Sequence, residues 1–182
     1  GTHGVTPSAS GKYFIDSYSS TDVARNVDVM DANGKFVKRL HEADDPLKEY
    51  NIGTIELGTL KAEDGQTLYT RMIKPYNFDP NKKYPVIIYV YGGPHAQLIT
   101  DDWTAGAGIY LHYLSQEGFI VFSLDNRGSA DRGEAFEQVI HRQCGQAEMR
   151  DQKVGIDYLK SLPYVDAERI GTDGCPRSRQ RS

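Results

Sequence analysis

The chain has 182 residues, enough for one full core or for pieces of two, and its 38% hydrophobic and 25% charged residues make the composition of an ordinary soluble globular protein rather than a disordered or fibrous one. A net charge of −4, with no long basic run before the last few residues, leaves no electrostatic footprint for nucleic acid. Cys144 and Cys175 form no CxxC pair and lie at no ligand spacing from a histidine, which argues against zinc and a disulfide framework, and no segment approaches the roughly 18 apolar residues of a membrane span.

The opening "GTHGVTPSAS" lacks the charged start and apolar run of an export signal, so any signal or anchor is expected outside this sequence. Residues 1–50 read as short β elements, a four-element meander at most. "GKYFIDSYSS" alternates aromatic and small residues, "RNVDVMD" alternates Val27 and Val29 with polar neighbours, and "DANGKFVKRL" places an Asn-Gly turn before a further strand. Such a sheet buries little apolar surface alone. It reads either as the end of a larger all-β assembly, such as a propeller blade, or as a small β extension packed on the next domain.

The acidic "HEADDPLKEY", with Pro46, sets a boundary near residue 50. "TIELGTLKAEDGQTLYTRMIKP" is expected to form a hairpin around Asp64-Gly65. The run Pro85–Tyr91 is continuously β-branched and aromatic and ends in Gly92-Gly93-Pro94, which predicts a strand buried on both faces feeding a loop at its C-terminal end. "DDWTAGAGIYLHYLSQEG" predicts a helix with an aspartate pair at its start, Leu111 and Leu114 on one face and Gly118 capping its end. A second interior strand, "GFIVFSLDNRG", runs into an Asp-Asn-Arg-Gly loop. In "MRDQKVGIDYLKSLP", Val154, Tyr158 and Leu162 recur at helical spacing until Pro163 stops the helix, and "YVDAERIGTDG" starts another strand.

Alternating strands and helices predict an α/β domain built on an open, mostly parallel sheet, and ligands in such sheets bind at the C-terminal strand edges. That edge holds Tyr91, Gly92, Gly93, Asp125, Asn126 and Arg127. From pattern alone Tyr91 reads as a strand-end tyrosine packed under a loop. The glycines permit a tight turn, and Arg127 suits an internal ion pair shaping the loop better than a carboxylate-binding role. Glu148 and Asp151, near the start of the third helix, fit the helix dipole, and His95, His112 and His141 read as structural or solvated.

Taken in series, "KKYPVIIYVYGGPH", "FIVFSLDNRGS", "HRQCGQAEMRDQ" and "VDAERIGTDG" resemble the peptidase domain of the prolyl oligopeptidase family, most closely its dipeptidyl peptidase IV branch. The resemblance runs from about residue 53 to Gly174, and "GVTPSASGKYFIDSYSS" is similar to the last propeller blade of the same enzymes. It implies an incomplete α/β-hydrolase sheet over residues 51–174, the end of a β-propeller over 1–50, and a tail at 175–182 that matches neither. Activity on peptide substrates is implied for the parent enzyme: release of N-terminal dipeptides or short peptides by a serine nucleophile, with no cofactor and no metal. A parent homodimer and a periplasmic, secreted or membrane-anchored location are implied as well. An acylaminoacyl peptidase or an esterase uses the same scaffold.

The family's nucleophile sits on a Gly-x-Ser-x-Gly elbow, with the acid and the histidine later in the chain. Gly174 falls on the first glycine, Cys175 on the x, Pro176 on the nucleophile and Ser178 on the second glycine. Proline has neither hydroxyl nor N–H, so this chain is expected to be inactive. Its half-built sheet exposes an edge and apolar faces and is expected to self-associate, and the alternative is a non-catalytic binding module on the same scaffold. By resemblance Tyr91 donates its hydroxyl to the tetrahedral oxyanion. A basic Arg-Ser arm for RNA and a thiol nucleophile at Cys175 are weaker readings of the tail.

Overall fold

The structure, a computed structural model, describes residues 1–174. Their backbone divides into two compact units, Gly1–Asn51 with Thr100–Gly108, and Ile52–Ile99 with the chain from Ile109 onward.

In the first unit β1 (Thr2–Pro7), β2 (Tyr13–Ser20), β3 (Val23–Asp31) and β4 (Phe36–Glu42) form an antiparallel sheet in chain order. The β3–β4 connection is the expected Asn-Gly turn: Gly34 has φ +80° and donates to the Asp31 carbonyl, while the Asp31 carboxylate takes the N–H groups of Asn33 and Lys35, both at 2.9 Å. β1 carries no apolar alternation, and its pairing with β2 alone makes it a strand. Thr100–Gly108 also belongs to this unit, against the expectation of one helix across 101–118. Thr104 and Ala105 take φ of +60° and +53°, which no α-helix contains, and Asp101 receives the N-terminal ammonium at 2.9 Å.

The second unit follows the chain through β5 (Thr54–Lys61), β6 (Thr67–Lys74), β7 (Tyr84–Tyr89), α1 (Ile109–Gln116), β8 (Ile120–Asp125), α2 (Glu134–Glu137), α3 (Ala147–Ser161) and β9 (Val165–Asp173). Strand order is β5-β6-β8-β7-β9: parallel from β8 through β7 to β9, with the β5–β6 hairpin joined antiparallel at one edge. Helix α1 closes as expected on Gly118, where the Phe119 N–H reaches the Leu114 carbonyl and the Gly118 N–H that of Ser115.

Sheet alternation sorts the core. Phe122 and Leu124 point to the α3 side, close enough that a Cβ on Gly155 would lie 3.1 Å from the Phe122 ring; Leu68, Met72, Val86, Ile88 and Leu159 belong to the same cluster. Ser123 and Arg71 lie on the opposite face. β8 is buried along its whole length, whereas β7 is buried only at alternate residues, so the expectation of two fully interior strands holds for one of them. Both strands are paired on two sides, so the difference lies on one face: α1 packs mainly on β8 and β6, while Pro85, Ile87 and Tyr89 of β7 stay half-buried. In α3 the fully buried row is Glu148, Asp151, Gln152, Gly155 and Leu159, one position round from the expected Val154, Tyr158 and Leu162, which are half-buried.

Candidate active site

The parallel strands end along one edge, and two of those ends meet. β7 pairs with β9 through one further bond, the Val90 N–H to the Asp173 carbonyl at 2.8 Å, before the chain leaves the sheet at Tyr91. Gly174, the residue after Asp173, lies directly against that bond. A Cβ there would stand 1.8 Å from the Val90 carbonyl oxygen, so no side chain fits, and the glycine opening the candidate elbow is fixed by contact with the residue before Tyr91. The Asp173 carboxylate accepts the Gly174 N–H at 2.8 Å. It also accepts the Tyr110 hydroxyl, a bond that raises the Tyr110 pKa above the usual phenol range. Cys175, Pro176 and Ser178 lie outside the described residues.

Tyr91 is half-buried, and its ring folds back over the loop beyond it. A Cβ on Gly93 would sit 2.8 Å from Tyr91 Cε1, so glycine at 93 is what admits the ring, while Gly92 turns the chain at φ +66°. With Asp125, Asn126 and Ser129 these residues line a crevice of about 10 Å³, room for about one water.

Asp125, the last residue of β8, is 3% exposed. Its Oδ1 accepts the Leu98 N–H at 2.8 Å and its Oδ2 the Ile99 N–H at 3.2 Å. Burial pushes its carboxyl above the usual range, opposed by those two N–H bonds and by the Arg71 guanidinium. Arg71 is itself buried, donating from Nη1 to the Leu98 carbonyl at 2.8 Å and from Nη2 to Ser123 Oγ at 3.0 Å. Nothing in the sequence pointed to it except a charge beside the apolar pair Met72 and Ile73 in β6.

Arg127 turns away from open solvent. Its Nε and Nη2 reach the Asp151 carboxylate at 3.0 and 2.7 Å, its own N–H does so at 2.8 Å, and Nη1 bonds Asp64 on the β5–β6 turn. These partners hold the guanidinium charged, with the Asp151 bond the largest influence. Asp151 therefore differs from its expected role: it is a fully buried ion-pair partner inside α3, not a dipole-facing carboxylate. Glu148 does serve the helix start, taking the Gly145 N–H at 2.9 Å.

The three histidines divide. His112 is buried in α1 with neither ring nitrogen hydrogen-bonded, and burial, then Arg71, pushes its pKa below the usual imidazole value. His95 pairs with Glu137 at 2.8 Å, and His141 lines the same open cavity with Pro94, Glu134 and Gln138. Among the described residues, no group of three or more His, Cys, Asp or Glu is placed to hold a metal ion.

The profile of the prolyl oligopeptidase family, Peptidase_S9, matches residues 108–175. Dipeptidyl peptidase 8 of Mus musculus is 36% identical over 71% of this chain and 14% of its own length. The protein named "Probable dipeptidyl peptidase 4" in Aspergillus fumigatus is 33% identical over 92% of this chain and 22% of its own. Among solved structures, a "putative dipeptidyl aminopeptidase IV" from Bacteroides ovatus superposes with a TM-score of 0.93 at 50% identity, covering 95% of this chain and 25% of that one. Porphyromonas gingivalis dipeptidyl peptidase 4 gives 0.84 at 32% identity over 96% and 25%. The chain thus spans between about a seventh and a quarter of the length of these relatives.

Proposed function

From the premise that the chain belongs to the prolyl oligopeptidase family, on its dipeptidyl peptidase IV branch, we propose that it forms the end of the propeller and the first half of the α/β-hydrolase domain of a serine exopeptidase that releases N-terminal dipeptides or short peptides. The observation that supports this reading is the packing of Gly174 on Val90, the residue before Tyr91. In the complete enzyme an elbow serine attacks the peptide carbonyl, a histidine takes its proton and returns it to the leaving amine, and an aspartate orients the histidine. Negative charge then gathers on the former carbonyl oxygen. A donor aimed at that position acts only in the transition state, which is the role of the Tyr91 hydroxyl together with the N–H of the residue after the nucleophile.

The 182-residue sequence has Pro176 where the serine belongs, and a pyrrolidine ring supplies neither a nucleophile nor a backbone donor. The purified chain is therefore expected to release no chromophore from a Gly-Pro chromogenic substrate, whereas a full-length protein with Gly-x-Ser-x-Gly at this place turns it over. Burst release by the 182-residue chain would overturn the first half of this expectation. Failure of the full-length protein on Gly-Pro, combined with cleavage of an acetylated amino-acid substrate, would move the parent to the acylaminoacyl peptidases. Pro176 also favours a second reading, a non-catalytic module on the same scaffold, which predicts no turnover by any natural chain carrying this stretch.

A further inference from the structure

We propose that Asp125 is a positioning residue for Tyr91, acting through the loop 91–99; this rests on the oxyanion reading of Tyr91. The loop is held at both ends. It leaves β7 where the Val90 N–H bonds the Asp173 carbonyl, and it comes back to the sheet where the consecutive N–H groups of Leu98 and Ile99 both donate to one carboxylate. That carboxylate ends β8, which is paired on both sides and buried at every residue, so the anchor is rigid. Bonds to an ionised acceptor are shorter and about twice as strong as neutral ones, which suits a loop end that must be held in place. Arg71 grips the same Leu98 by its carbonyl, and the His95 N–H bonds the Gly128 carbonyl at 3.1 Å, midway along the loop. Between these fixed points the Tyr91 ring lies on Gly93.

Keeping a carboxylate charged where burial raises its pKa costs stability. A neutral loop end would avoid that cost, so the charge is explained by what it holds. A hydroxyl that must meet a developing oxyanion tolerates little error: displacement by about 1 Å loses on the order of 100-fold in rate. Asn at 125 is isosteric but can accept only one of the two N–H groups and turns an NH2 towards the other. The loop would then be released at one end.

The test is a double-mutant cycle in the full-length protein with an intact elbow serine. Asp125→Asn should lower kcat on a dipeptide substrate by about 10- to 100-fold with KM within a factor of about two. The double variant D125N/Y91F should be no slower than Y91F alone. Losses that multiply would show that Asp125 does not act through Tyr91 and would overturn the inference while leaving the oxyanion role in place; a Y91F variant as fast as the parent would remove that role and the inference with it. Should D125N not fold, amide exchange in the unsubstituted protein decides. Leu98 and Ile99 protected as strongly as the β8 amides support the anchor, and exchange at open-loop rates overturns it.

Discussion

The strand residues that reach full burial in the first unit are Asp16, Asn26 and Asp28, whereas those of the second are mostly Leu, Ile, Val, Phe and Met. Asp16 and Asp28 stand directly opposite each other across β2 and β3, a like-charge pairing that is unfavourable by itself. His3 at 2.9 Å from Asp16 and the two-pronged Arg39 on Asp28 at 2.9 and 3.1 Å offset it. Meanwhile Phe36, Val37 and Leu40 of β4 remain about half exposed. The first sheet is held by ladder bonds and charge pairs. The second is held by a packed apolar layer between sheet and α3. A blade of this kind draws its stability from pairing, a hydrolase sheet from burial, and substitutions should separate the two.

The largest separation is expected from truncation of the core. Leu159→Ala removes a fully buried side chain from the α3 layer and should cost about 2–5 kcal/mol, read as a lowered denaturant midpoint, whereas Phe36→Ser in β4 should stay within about 0.5 kcal/mol. Equal effects would erase the contrast. Next comes the pair of arginine–aspartate bridges. Arg127→Met strands Asp151, which is 0% exposed, and should cost about 3 kcal/mol; Arg39→Met, on a side chain 35% exposed, should cost clearly less in the same assay.

The smallest expected effect is on pH dependence. The pKa of His112 is depressed in the folded chain, so between that value and the ordinary imidazole value of about 6.5 the unfolded chain binds more protons. Its contribution is therefore complete above pH of about 6.5 and is lost as pH falls towards the folded pKa. Melting temperature measured from pH 7.5 down to 5 should fall less steeply for His112→Leu than for the parent chain. A parallel pair of curves would contradict the account of His112.

Much of this architecture was legible in local chemistry. The Asn33-Gly34 and Asp64-Gly65 turns, the Gly118 cap and the apolar run of β8 are signals within a few residues of the structure they specify. Thr100–Gly108 was not legible: its glycines and left-handed residues interrupt a helical pattern, and only long-range packing assigns it to the first sheet. The buried row of α3 was misread for a related reason. Asp151 reads in sequence as a carboxylate suited to the helix dipole, yet it and Gln152 are interior because Arg127, Asn126 and the Leu124 carbonyl await them across the sheet edge. In the candidate site, Tyr91 and the glycines could be read from the strand end. Arg71 and Asp173 could not, since each acts through a partner far away in the chain.

In the proposed enzyme the end of β7 presents Tyr91 to an acyl-transfer elbow beginning at Gly174. Steady-state kinetics of Tyr91→Phe in the full-length protein with an elbow serine test it most directly. A kcat reduced by roughly 100-fold or more, with KM on a Gly-Pro substrate nearly unchanged, is the predicted result. An unchanged kcat, or a loss confined to KM, would contradict it.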